Sequence, residues 1–69
     1  MLKKQSKVLF YNRGKTEQGE IVRKWRRKET VYFNIKTERG VVLEGITTDS
    51  SMPCYVLEQL SIKLNEKLK

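Results

Sequence analysis

Thr30-Val31-Tyr32-Phe33-Asn34-Ile35-Lys36-Thr37 is the stretch that decides the class of this chain. Val31, Phe33 and Ile35 fall on one side of a period-two backbone, and Thr30, Tyr32, Asn34 and Lys36 on the other. That is the pattern of a strand with one buried and one solvated face. Glu38-Arg39-Gly40 follows as a hairpin turn, with Gly40 suited to a positive φ. Residues 41–48 read as the return strand, burying Val41 and Leu43 and exposing Val42, Glu44 and Ile46. Gly45 interrupts that strand and predicts a bulge or a sharp bend.

Upstream, residues 7–12 alternate in the same way, with Val8, Phe10 and Asn12 on one side and Leu9 and Tyr11 on the other. The polar stretch 13–19 carries Gly14 and Gly19 and is expected to be a turn or loop, after which a second strand runs over 20–28. Downstream, the period changes. Pro53 suits the first turn of a helix, with Ser50 or Ser51 as a cap, and Leu57, Leu60, Leu64 and Leu68 recur at three- and four-residue spacing. A C-terminal amphipathic helix whose leucine stripe, extended by Val56, covers the sheet is therefore expected. The competing reading makes residues 55–60 a final short strand, with only the last residues helical. Lys63, Lys67 and Lys69 complement the helix dipole and read as solvated charge.

The second strand contains Arg23-Lys24-Trp25-Arg26-Arg27-Lys28, in which five of six residues are basic and the sixth is the only tryptophan. Crowded cations repel one another, so such a run points to an acidic partner. Alternation puts Arg23, Trp25 and Arg27 on one face and Lys24, Arg26 and Lys28 on the other. An aromatic between guanidiniums can stack on a base or sugar while its neighbours meet phosphates. The alternative is a basic hairpin whose Trp25 covers the end of a small core. The exposed face built from these strands holds Trp25, Arg27, Thr30, Tyr32, Asn34, Val42, Glu44 and Ile46.

Sixty-nine residues make one small domain, with residues 1–6 expected as a flexible tail. Fifteen Lys and Arg against eight Asp and Glu leave a net charge of +7, which favours nucleic acid, an anionic membrane surface or an acidic protein as partner. No apolar run approaches the length of a membrane span, and Met1-Leu2-Lys3-Lys4 does not lead into the apolar stretch of a signal peptide. The expectation is a cytoplasmic protein without a membrane partner, nucleoid-associated if it binds DNA. Cys54 is the only cysteine and histidine is absent, so neither a disulfide within the chain nor a zinc site is expected. The eight carboxylates are scattered, and no glycine turn matches a phosphate-cradling loop. Cys54 beside Pro53 would sit at a helix N-terminus, but without a histidine to act as base it reads as a structural thiol. No enzyme activity and no cofactor are expected.

From Trp25 to Leu60 the chain resembles the seven-kilodalton DNA-binding chromatin proteins of archaea. The resemblance rests on Trp25-Arg26, Val31-Tyr32-Phe33, Arg39-Gly40, Gly45-Ile46-Thr47-Thr48-Asp49, Pro53 and Val56-Leu57-Glu58-Gln59-Leu60. Val8 to Gly14 is similar to the family's first strand and turn, and the stretch from Gly14 to Trp25 is about three residues short of the family's spacing. The resemblance implies a mainly β fold, a small five-stranded SH3-like or chromo-like barrel of a hairpin plus a three-stranded sheet with a C-terminal helix. It also implies that the outer sheet face lies over the DNA minor groove, with apolar wedges between base pairs. This chain departs from the family in having Arg27 and Thr30 where the wedges stand, which weakens kinking, and Glu44 where an arginine stands, which puts a carboxylate near the phosphates.

The function so expected is sequence-tolerant double-stranded DNA binding by a monomer or weak dimer. The candidate nucleic-acid-binding residues are Arg23, Lys24, Trp25, Arg26, Arg27, Lys28, Thr30, Tyr32, Asn34, Val42 and Ile46. RNA is a further candidate partner. The alternative is a protein-interaction module that docks an acidic protein through the same face.

Overall fold

A computed structural model describes residues 2–68. Met1, the first residue of the expected tail, and Lys69, the last of the expected terminal cations, lie outside the described residues. Five strands form one antiparallel sheet in the order β4-β3-β2-β1-β5, curled into a half-barrel, and one helix follows. The elements are β1 (Lys7–Asn12), β2 (Lys15–Arg27), β3 (Thr30–Thr37), β4 (Val42–Ile46), β5 (Cys54–Val56) and α1 (Glu58–Lys67).

The alternation in β1 and β3 places Val8, Phe10, Phe33 and Ile35 in the core, joined by Ile21 from β2, Val56 from β5 and Leu2. Leu2 is only 3% exposed, and Gln5 N–H donates to Ile21 O at 2.7 Å. The expected tail therefore folds back on the sheet, because an apolar residue at position 2 gains more by covering the barrel mouth than by staying in water.

The loop expected over 13–19 is instead a two-residue turn, Arg13-Gly14, with φ of 48° and 95°. Asn12 pairs directly with Lys15, so β2 begins five residues before the expected start at 20. Polar residues 15–18 form strand because both central turn residues, Arg13 and Gly14, adopt positive φ, the condition for a tight hairpin. Gly19 lies inside β2, paired with Val8 on one side and Thr37 on the other.

Two bulges set which side chains face the core. Between Ile21 and Arg23, β2 carries one residue more than β3 opposite it. Between Leu43 and Ile46, β4 spans three positions where β3 spans two, Ile35 to Phe33, and Gly45 has a φ of 68°. The extra residue reverses the alternation, so Leu43 and Ile46 both pack on the core. Ile46 was expected on the outer face and is corrected to the inner one. Val41, expected to be buried, precedes β4 and is exposed.

The C-terminal helix is present, but its start and its docking stripe are corrected, and the competing reading of a short strand ahead of it is met in part by β5. Cys54–Val56 is a strand, Pro53 lies before it, and α1 starts only at Glu58, with no side-chain cap from Ser50 or Ser51. The leucine stripe is not the docking face: Leu60 is 50% and Leu68 61% exposed, while Ser61 is fully buried. The helix is held by polar side chains on the edge of β1 that β5 leaves uncovered. Leu9 N–H donates to Ser61 Oγ at 2.8 Å, and the Ser61 hydroxyl has its one proton to give to Leu9 O at 3.1 Å or Leu57 O at 2.8 Å. One turn on, Asn65 Oδ1 accepts from Lys7 N–H at 3.0 Å and Asn65 Nδ2 donates to Lys7 O at 2.7 Å. Strand edges must satisfy their backbone groups, and here an i, i+4 pair does it. Ser61→Ala is expected to cost about 1–2 kcal/mol, since it leaves the Leu9 N–H without its acceptor; urea unfolding measures it, and an unchanged midpoint would refute the role.

Candidate nucleic-acid interface

The β2–β3 hairpin positions the aromatic and basic side chains. Trp25 and Tyr32 are direct cross-strand partners, and their rings stack with centroids 5.6 Å apart and planes 15° apart. The Arg23 Cζ lies 4.8 Å from the Trp25 ring centroid. The aromatic pair contributes about 0.5–1.5 kcal/mol and the cation–π contact about 0.5–1 kcal/mol at an exposed site. These contacts hold Trp25 in one orientation, half-buried, on the outer face.

Arg27 pairs with Thr30 next to this stack, and Arg23 with Asn34. Asn34 Oδ1 accepts from Gly45 N–H at 3.0 Å, so its carbonyl oxygen secures the β4 bulge and is engaged within the protein. Val42 is 47% exposed on the same face, opposite Lys36. Lys36 was not among the candidate residues, although the alternation that assigned Tyr32 and Asn34 assigns it equally. Glu44, in the β4 bulge, is exposed and lies at the margin between this face and the groove beside β3, where it offsets one cation.

The other four candidates lie elsewhere. Lys24 pairs with Phe33 on the inner side, and its Nζ donates to Leu2 O at 2.7 Å. Arg26 lies on that side too, its Nε donating to Lys28 O at 3.2 Å. Lys28 occupies the β2–β3 turn with a φ of 58°. Ile46 packs against the core. The basic run thus divides between two faces, and the outer one carries Arg23, Trp25, Arg27, Thr30, Tyr32, Asn34 and Val42.

Burial pushes the Cys54 thiol above its ordinary range, with the nearby Glu17 carboxylate acting in the same direction. It pairs within the sheet opposite Asn12 and not at a helix N-terminus. Asp49 is shifted the other way, held acidic by the backbone N–H and then the hydroxyl of Ser51. Among the described residues no three His, Cys, Asp or Glu side chains group as metal ligands, and no helix is long and apolar enough to cross a membrane.

Comparison of the chain with protein-family models, curated proteins and solved structures finds no match.

Proposed function

We propose that this protein binds nucleic acid through the outer face of the β2–β3 hairpin, with double-stranded DNA as its target and little sequence preference. The observation that supports this best is the Arg23–Trp25–Tyr32 stack beside Arg27: a fixed aromatic surface framed by two guanidiniums on a chain of net charge +7. Guanidiniums placed there neutralise phosphates without reading bases, and the aromatic edge meets sugar and base. The resemblance to the seven-kilodalton chromatin proteins points to the same face. With Ile46 turned inward and Arg27 and Thr30 at the wedge positions, Val42 is, among the described residues, the one aliphatic side chain this face exposes, so the expected complex kinks the duplex less than apolar wedges would.

Titration of duplex DNA, single-stranded DNA and RNA at two salt concentrations tests this reading. With Arg23, Arg27 and Lys36 on the outer face, neutralising about three phosphates gives a slope of log affinity against log salt of about −3 on duplex. A salt-independent affinity, or no duplex binding at low salt, would favour an acidic protein as partner. Within the same assay, Trp25→Ala is expected to weaken binding by about 1–3 kcal/mol with the slope nearly unchanged, because a stacking surface is lost and no ion contact is. Arg27→Ala is expected to reduce the slope by about one unit. Glu44→Gln should strengthen binding by removing the one carboxylate of β4 from the face.

A further inference from the structure

β4 pairs with β3 only from Phe33 to Lys36, after which the chain turns away at Thr47 to bridge Tyr55. The first residues of β3, 30–32, therefore have β2 on one side and no strand on the other. A groove runs beside this open edge. Its floor is apolar, formed by Val31, Phe33 and Ile46 with Met52, and its rim carries four carboxylates, Glu29, Glu44, Asp49 and Glu58, against one cation, Lys24, which is engaged with Leu2 O. Four of the eight acidic residues of a strongly basic chain thus border one groove.

Those carboxylates disfavour a polyphosphate in the groove, and the free backbone edge calls for a partner that brings its own backbone donors and acceptors. We propose that the groove takes an extended, cationic segment of a partner protein, which adds as a strand beside residues 30–32, sets apolar side chains over Phe33 and Ile46, and directs Lys or Arg to the rim. The inference concerns the side of the sheet opposite the nucleic-acid face and the opposite charge, with Thr30, Tyr32 and Glu44 at the border between the two. It differs equally from docking of an acidic protein on that outer face.

The probe is an acetylated heptapeptide alternating lysine and valine, titrated into the isotope-labelled full chain and followed by backbone amide NMR. Saturable shifts are expected at Val31, Phe33, Ile46 and Thr47, while Trp25 and Arg27 stay unmoved. Glu29→Gln with Asp49→Asn, both at exposed positions and the second keeping the oxygen that accepts from Ser51, should weaken the peptide about three- to tenfold. N-methylation of alternate peptide nitrogens should weaken it about tenfold, because strand addition uses main-chain hydrogen bonds. A peptide with glutamate in place of lysine should not saturate. The proposal is overturned by shifts confined to the Trp25 face, by no saturable shift, or by N-methylated peptide binding equally well. Duplex DNA moving the same groove amides would also overturn it, as would their movement with protein concentration alone, which would make a second copy the occupant.

Discussion

A chain ending at Pro53 is expected to show no cooperative thermal transition. Such a truncation removes β5, whose Tyr55 and Val56 pair with Tyr11 and Phe10, and takes the buried Val56 out of the core. It also removes Leu57, Ser61 and Asn65, so that the Lys7 and Leu9 backbone groups lose the partners they have on that side of β1. Ile62, which packs on the core, goes with them. A single core of this size supplies only about 3–5 kcal/mol of stability. Burial of one aliphatic side chain accounts for about 1.5–3 kcal/mol, and each orphaned backbone group for a further 1–3 kcal/mol or so, so the sum of the losses exceeds what is there. Circular dichroism against temperature measures it. A sharp transition in the truncated chain would show that β1 to β4 suffice. Removing only residues 67–69 should change little, since Leu68 is 61% exposed.

Gly19→Ala is expected to destabilise the domain by about 3 kcal/mol, most of its total stability. A Cβ at this position would lie 2.7 Å from Lys36 O, 2.8 Å from Ile35 Cγ2 and 3.2 Å from Phe10 Cε1. The first contact is with backbone of the neighbouring strand, which cannot rotate away, and the other two are with fully buried side chains. The cost is one of space, not of φ, so Gly40→Ala offers a control of the opposite kind: its φ is 85° but nothing lies within 4 Å of its would-be Cβ. Denaturant unfolding of the two variants separates the causes. Equal midpoints for Gly19→Ala and the parent chain would mean that β2 and β3 part more readily at this crossing than their packing indicates.

Gly19 also shows where the sequence stops being readable. Next to Gln18 and Glu20 it looks like part of a polar loop, because only the fold brings Phe10 and Ile35 against it. The strand cores were legible, since Val8, Phe10, Phe33 and Ile35 alternate without interruption, and so were the turn at Gly40 and the irregularity at Gly45. What the bulge does to its neighbours was not, because one extra residue inverts the period-two rule and sends Ile46 inward. The helix misled in a different way: leucines at helical spacing outweighed Ser61 and Asn65, whose value lies in matching unpaired backbone on a strand distant in sequence. On the candidate face, alternation assigned Arg23, Trp25, Arg27 and Tyr32 to one side, whereas the diversion of Lys24 to Leu2 required knowing that residues 2–6 return to the sheet.

The sealing of β1 by Ser61 and Asn65 limits how copies of this chain can assemble. With β5 and α1 along one margin, and Thr47 bridging Tyr55 beyond it, the sheet, among the described residues, keeps its open margin for strand pairing on the side of β3 and β4. A building block with one sticky side has a valency of one. Two copies joined margin to margin would exhaust each other, and a third would find no strand to extend, so pairing through backbone ends at a dimer and cannot run on into a fibre.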